Sequence, residues 1–127
     1  MTILIVEDET LTRLMLTAEL EAIGQVVIEA ADADEALLIL RTDKSIKLLF
    51  ADIKMPGTID GLELARIARA KHPGVKVIIG SAHAGLAGWA PEADGAFEKP
   101  YDIEQVVAKI LELIGTLPDP TGNLRDS

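Results

Sequence analysis

The chain has 127 residues, 49% of them hydrophobic, and 12 basic residues stand against 21 acidic ones for a net charge of −9. That size suits one domain with one core, and that apolar content argues against disorder. The acidic balance disfavours direct nucleic-acid binding, which relies on Lys and Arg to neutralise phosphates. With no cysteine there is neither a disulfide frame nor a thiolate metal site. No apolar run approaches the ~20 residues of a membrane span. The opening MTILIVEDE has no basic n-region before its apolar residues and does not read as a secretory signal. A cytoplasmic protein without membrane insertion is expected.

Five short apolar runs mark strands at Thr2–Val6, Val26–Glu29, Lys47–Ala51, Val75–Gly80 and Ala96–Glu98. Most are continuous rather than alternating, as in parallel strands covered on both faces. Between the first two, Leu11, Leu14, Met15, Ala18 and Ala22 predict a helical stripe, with Gly24 placed to end it. Asp32 with Glu35 reads as a capping pair before Ala36, Leu37 and Leu40, and Asp60 with Glu63 before Leu64, Ile67 and Ala68.

The segment from Ser81 to Asp94, SAHAGLAGWAPEAD, leaves room for only a short fourth helix, because its glycines weaken a helix and Pro91 stops it. After the fifth strand, Asp102 caps the last helix, and Ile103, Val106, Val107, Ile110, Leu111 and Ile114 keep helical spacing throughout. Five β-α units imply an α/β fold: a doubly wound, five-stranded parallel sheet with helices on both faces. Residues 1–115 form the domain. Residues 116–127, polar with two prolines, read as a frayed end or linker remnant.

In such a sheet, ligands bind at the carboxyl ends of the strands. Strand one ends in Glu7 and Asp8, strand three in Asp52, strand four in Ser81, and strand five in Lys99. Each has a bland reading alone: Asp8 as a helix N-cap, Asp52 as a turn former before Pro56, Ser81 as a loop hydrogen-bonder, Lys99 as a solvated residue. Together those readings need four accidents at one sheet edge. Three carboxylates repel unless neutralised, and a hard cation such as Mg²⁺ does so with oxygen ligands. Cation, ammonium and hydroxyl around one carboxylate are the parts needed to move a phosphoryl group onto it.

The pieces ILIVEDE (3–9), LLFADIKMPG (48–57), DGLEL (60–64), IIGSA (78–82) and FEKPY (97–101) come in this order. In them the chain resembles the receiver domain of two-component response regulators, over roughly Ile3 to Ile114. The resemblance implies a flavodoxin-like fold with strand order 2-1-3-4-5 and a cis Lys99–Pro100 bond. It implies Asp52 as phosphoacceptor, with Lys99 and Ser81 beside it. Mg²⁺ would be held by Glu7, Asp8, Asp52 and the backbone carbonyl of Lys54. His83 and the Lys54 side chain would flank the phosphoryl pocket and tune how long the group lasts; an idle exposed loop position is the other reading of His83. The sole tryptophan, Trp89, reads as a plug for the short fourth helix, with a partner-facing role as the alternative.

Three departures from the family stand out. Ala96 occupies the position where an aromatic commonly swings inward, and Phe97 should point to the opposite face. Whether Tyr101 or Trp89 takes over that part, spacing does not say. The interval from Ser81 to Lys99 is short for the family, so the usual dimer contacts are not carried over. The loop from Pro56 to Asp60 looks one residue long.

The expected function is that of a stand-alone phosphoacceptor receiver. It takes a phosphoryl group from a sensor histidine kinase or histidine phosphotransfer protein and signals through contacts with a downstream protein. It is expected to lose the group slowly rather than to act as an enzyme. The alternative is a receiver-like binding module that signals without phosphorylation. An aspartyl-nucleophile phosphohydrolase is disfavoured because Lys54 stands where such enzymes often place a second acid.

Overall fold

The computed structural model describes residues 1–54, 59–82 and 93–115. Along the chain run β1 (Thr2–Val6), α1 (Thr10–Ala22), β2 (Val26–Ala30), α2 (Ala33–Thr42), β3 (Ile46–Asp52), α3 (Gly61–Lys71), β4 (Lys76–Ser81), β5 (Gly95–Glu98) and α4 (Ile103–Ile114). The strands form one sheet in the order β2-β1-β3-β4-β5, every neighbouring pair parallel. This is the flavodoxin-like arrangement the sequence implied. The short helix expected between β4 and β5, the loop at 55–58 and the tail at 116–127 lie outside the described residues.

The continuous apolar runs exist because both sheet faces are covered. Leu4, Val6, Leu49, Ala51, Val77 and Ile79 point to the layer of α2 and α3, where they meet Ala36, Leu40, Leu64 and Ala68. The intervening Ile3, Ile5, Leu48, Phe50 and Ile78 point to α1 and α4, and meet Leu16, Leu20, Val106 and Ile110. Alternation along each strand thus feeds two half-cores. Each large side chain fully buried there contributes roughly 1.5–3 kcal/mol.

Caps follow the sequence. Asp32, Asp60 and Asp102 each accept a hydrogen bond from the backbone N–H three residues on. Gly24 follows the end of α1 with φ +89°, a conformation that favours glycine. The expected stripe on α1 is corrected. Leu11, Leu14 and Met15 are 66%, 54% and 47% exposed, while Leu16 and Leu20 are buried. Apolar residues occupy more than one side of this helix, so periodicity alone leaves the buried face open. Leu16 and Leu20 win because they meet Ile3, Ile5 and α4 together.

One ion pair fixes the return of the chain into β5. Asp94 accepts two hydrogen bonds from the Arg69 guanidinium, both at 3.1 Å, and a third from the Val77 amide at 2.8 Å. At the amino-end pole of the sheet, a crevice of about 170 Å³ is lined by Lys44, Lys47 and His72. α2 and α3 both end there, so the two lysines complement two helix C-termini, and the crevice needs no ligand to explain it.

Candidate functional site

Strand register builds the site before any side chain is considered. Val6 pairs with Ala51, and Asp52 pairs with Gly80. Glu7, Asp52 and Gly80 therefore form one row across the carboxyl ends of β1, β3 and β4, on the face that carries Ile5, Phe50 and Ile78. The backbone amide of Lys99 donates to the Ser81 carbonyl at 2.7 Å, which docks the end of β5 against this row.

Asp52 is buried at the centre of the row. The Lys54 backbone N–H donates to its Oδ1 at 3.2 Å, and Lys99 Nζ donates to its Oδ2 at 2.5 Å. Lys99 reaches it from just beyond the end of β5. The same ammonium lies 3.4 Å from Glu7 Oε1. Burial alone would lower the Lys99 pKa. The bond to Asp52 and the charges of Glu7 and Asp52 outweigh it and hold the ammonium above the usual lysine range.

One carboxylate oxygen from each of Glu7, Asp8 and Asp52 lies within 4.8 Å of the other two. Glu7 and Asp52 are buried and Asp8 is exposed. Burial pushes the Glu7 carboxyl up to about 7 against the pull of the Glu9 amide, and the Asp52 charge adds to the rise. Among the described residues Glu7 Oε1 accepts no hydrogen bond and has only the more distant Lys99 ammonium beside it. Lys99 lies against two of these three acids, and a hard divalent cation would supply the remaining compensation. The donor set, all oxygen with one buried carboxylate atom that accepts no hydrogen bond among the described residues, fits Mg²⁺. Glu7, Asp8 and Asp52 would hold it.

Arg13 secures the acidic end of β1. Its Nη1 donates to the Glu7 carbonyl at 2.6 Å and its Nε to Glu29 Oε1 at 3.0 Å. The guanidinium thereby ties the β1 terminus to β2. Below Asp52, the Gly61 amide donates to the Ile53 carbonyl at 2.9 Å, bringing α3 directly under the end of β3.

The remaining sequence candidates divide clearly. Ser81 is buried at the end of β4, beside the row. The Lys54 side chain is exposed. His83 and Trp89 lie outside the described residues. Ala96 is exposed, and Phe97 packs among the α1 and α4 core residues, so the two point to opposite faces as expected. The Lys99–Pro100 bond is cis.

Tyr101 packs edge-on against Phe50, with ring centroids 5.4 Å apart and planes at 88°. Lys99 Nζ lies 5.9 Å from its centroid. With Leu11, Met15 and Pro100 it lines a groove of about 450 Å³ beside the acids.

The model for the response regulator receiver domain matches residues 3–111. The chain belongs to this family. Among curated relatives, the DNA-binding transcriptional regulator NtrC of Salmonella typhimurium is 34% identical over 110 residues, which cover 84% of this chain and 23% of NtrC. Sensor kinase CckA of Brucella abortus is 34% identical over 119 residues, covering 89% of this chain and 12% of CckA. The chain thus spans a quarter or less of these relatives. Among solved structures, TrrA of Thermotoga maritima in complex with Mg²⁺-BeF shares 32% identity and a TM-score of 0.76, over 88% of this chain and 97% of that one. A CheY-like receiver domain from Methanospirillum hungatei shares 32% identity and a TM-score of 0.79, over 87% and 90%.

In this receiver domain, strand order brings together Glu7, Asp8, Asp52, Ser81 and Lys99 as the sequence implied. Sequence reasoning missed Arg13, Gly80 and the part played by Gly61. Arg13 acts on a residue six positions back and another on a different strand, and no local pattern announces that. Gly61 was visible within DGLEL, but its closeness to β3 was not.

Proposed function

We propose that Asp52 accepts a phosphoryl group from a phosphohistidine on a sensor histidine kinase or a phosphotransfer protein. The observation that carries this is the buried, strand-end Asp52 carboxylate, bonded to Lys99 and flanked by Glu7 and Asp8. An Asp52 oxygen bonds to phosphorus as the P–N bond of the donor breaks, and the imidazole nitrogen keeps the electron pair. Lys99 shifts from Asp52 Oδ2 to a phosphoryl oxygen, and the Ser81 hydroxyl donates to another. Glu7, Asp8, Asp52 and the Lys54 carbonyl hold Mg²⁺, which supplies neutralisation of the charge on the phosphoryl oxygens. The Lys54 ammonium, exposed beside the pocket, tunes the lifetime of the group.

The domain is a phosphoacceptor with slow self-hydrolysis rather than an enzyme, and it acts in the cytoplasm through protein contacts. Incubation with Mg²⁺ and acetyl phosphate, followed by intact mass measurement, tests the reading. The expected result is a single phosphoryl adduct that requires Mg²⁺ and is absent in Asp52→Asn. An unmodified wild-type protein with every phosphodonor would overturn it, in favour of a module that signals by binding alone.

A further inference from the structure

Gly80 is the gap in the row of side chains at the top of the sheet. A Cβ built there would lie 1.9 Å from the Tyr101 hydroxyl oxygen and 2.6 Å from the ring carbon that bears it. The phenol end of Tyr101 therefore occupies the space where a β4 side chain would stand. Gly80 pairs with Asp52, so the hydroxyl lies about one strand spacing, roughly 4.8 Å, from the strand that presents the phosphoacceptor. It is enclosed and has no hydrogen-bond partner among the described residues. A buried hydroxyl left in that condition costs about 1–3 kcal/mol, and a phenylalanine would fill the space without the penalty.

The rest of the ring is held firmly. Phe50 meets it edge-on, and the ring packs with the α1 and α4 core residues. Burial, and then the charges of Asp52, Glu7, Glu9 and Asp8, keep the phenol well above its usual pKa. It is a hydrogen-bond donor throughout the physiological range. Asp52 does not use it: its Oδ1 accepts from the Lys54 amide and its Oδ2 from Lys99. A phosphoryl group on Asp52 brings three new acceptor oxygens into this corner, and Lys99 leaves Oδ2 to meet one of them.

We propose that the Tyr101 hydroxyl, stored in the space over Gly80, is a further phosphoryl-binding donor that engages the loaded form of Asp52. This rests on the phosphoacceptor reading above. It gives Tyr101 a direct contact with the group, and through its groove-lining ring it couples that contact to the surface formed with Leu11 and Met15.

Tyr101 is the chain's sole tyrosine, so a ¹³Cζ-tyrosine label reports one resonance. The probe is beryllofluoride with Mg²⁺, which mimics the phosphoryl group without turnover. Loading should shift the Tyr101 Cζ resonance. Tyr101→Phe should weaken beryllofluoride binding about tenfold, the size expected for a lost hydrogen bond to a charged group. The same variant should bind Mg²⁺ alone like wild type, and its unfolding midpoint should be equal or higher, because it removes an unpaired buried hydroxyl. A merely structural tyrosine would lower stability and leave beryllofluoride binding unchanged. If wild type binds beryllofluoride, but the resonance does not move and Tyr101→Phe binds equally well, this inference is wrong while the phosphoacceptor reading stands. A wild type that binds no beryllofluoride with Mg²⁺ removes both.

Discussion

Gly61 abuts the backbone of Asp52: a Cβ added at Gly61 would lie 2.0 Å from the Asp52 carbonyl oxygen and 2.9 Å from the Ile53 Cα. Both obstacles are main chain, so neither can rotate aside. The first turn of α3 is pressed against the peptide that carries the phosphoacceptor, and only a residue without a side chain permits that approach. Gly61→Ala should therefore force α3 away from β3. The expected cost is about 3 kcal/mol, at the upper end of overpacking penalties, with slower phosphorylation of Asp52. Gly74→Ala is the control, since a Cβ there meets nothing within 4 Å. It should change stability by less than about 1 kcal/mol. Urea unfolding of both variants, with adduct formation followed by mass, checks the pair.

Arg13 touches no atom proposed to bind the metal, yet it should control the metal. Its bond to the Glu7 carbonyl holds the β1 terminus from which Glu7 and Asp8 project, and Glu29 holds the guanidinium in place. Arg13→Ala frees that terminus. Support at one remove from a ligand is typically worth 10–100-fold in metal affinity, so Mg²⁺ binding should weaken by about tenfold. Arg13→Lys cannot serve both acceptors with a planar fork and should recover only part of the loss. Titration calorimetry with Mg²⁺ decides it. Unchanged affinity in Arg13→Ala would show that the terminus holds itself.

Without divalent cation, stability should fall as pH rises through the window from about 4.5 to about 7. Glu7 has a carboxyl pKa of about 7 in the fold against an ordinary 4.5. Between those values the native state keeps a proton that the unfolded chain has released, so the native state is disfavoured as pH rises. Since one pKa unit is about 1.4 kcal/mol, the loss is on the order of 2–3 kcal/mol. His72, which burial holds below its usual pKa of 6.5, contributes the opposite slope below that pH. Glu7→Gln isolates the first effect: it should remove the decline and leave the His72 rise. Lys99→Met should extend the decline above pH 7, because the ammonium, after the Glu9 amide, pulls the Glu7 carboxyl down. Urea midpoints measured across this range for the three proteins give the answer.

What the sequence determined by itself is everything carried along single strands and helices. Apolar runs that stop at Glu7–Asp8, Asp52, Ser81 and Lys99 placed the chemistry at strand ends, and Asp32, Asp60 and Asp102 marked helix starts, all where the structure has them. These signals are local: strand alternation, helix period and capping each act within a few residues.

Only the tertiary structure decided what meets across strands. Which side of α1 is buried depended on Ile3, Ile5 and α4 arriving together, so Leu16 and Leu20 went inward and Leu11, Leu14 and Met15 did not. Lys99 reaches Asp52, and Tyr101 fills the space over Gly80, because the order β2-β1-β3-β4-β5 and the Asp52–Gly80 register put a missing side chain between them. Linear spacing carries no information about such neighbours. They are fixed when two half-cores close on both faces of the sheet and set which strands lie side by side.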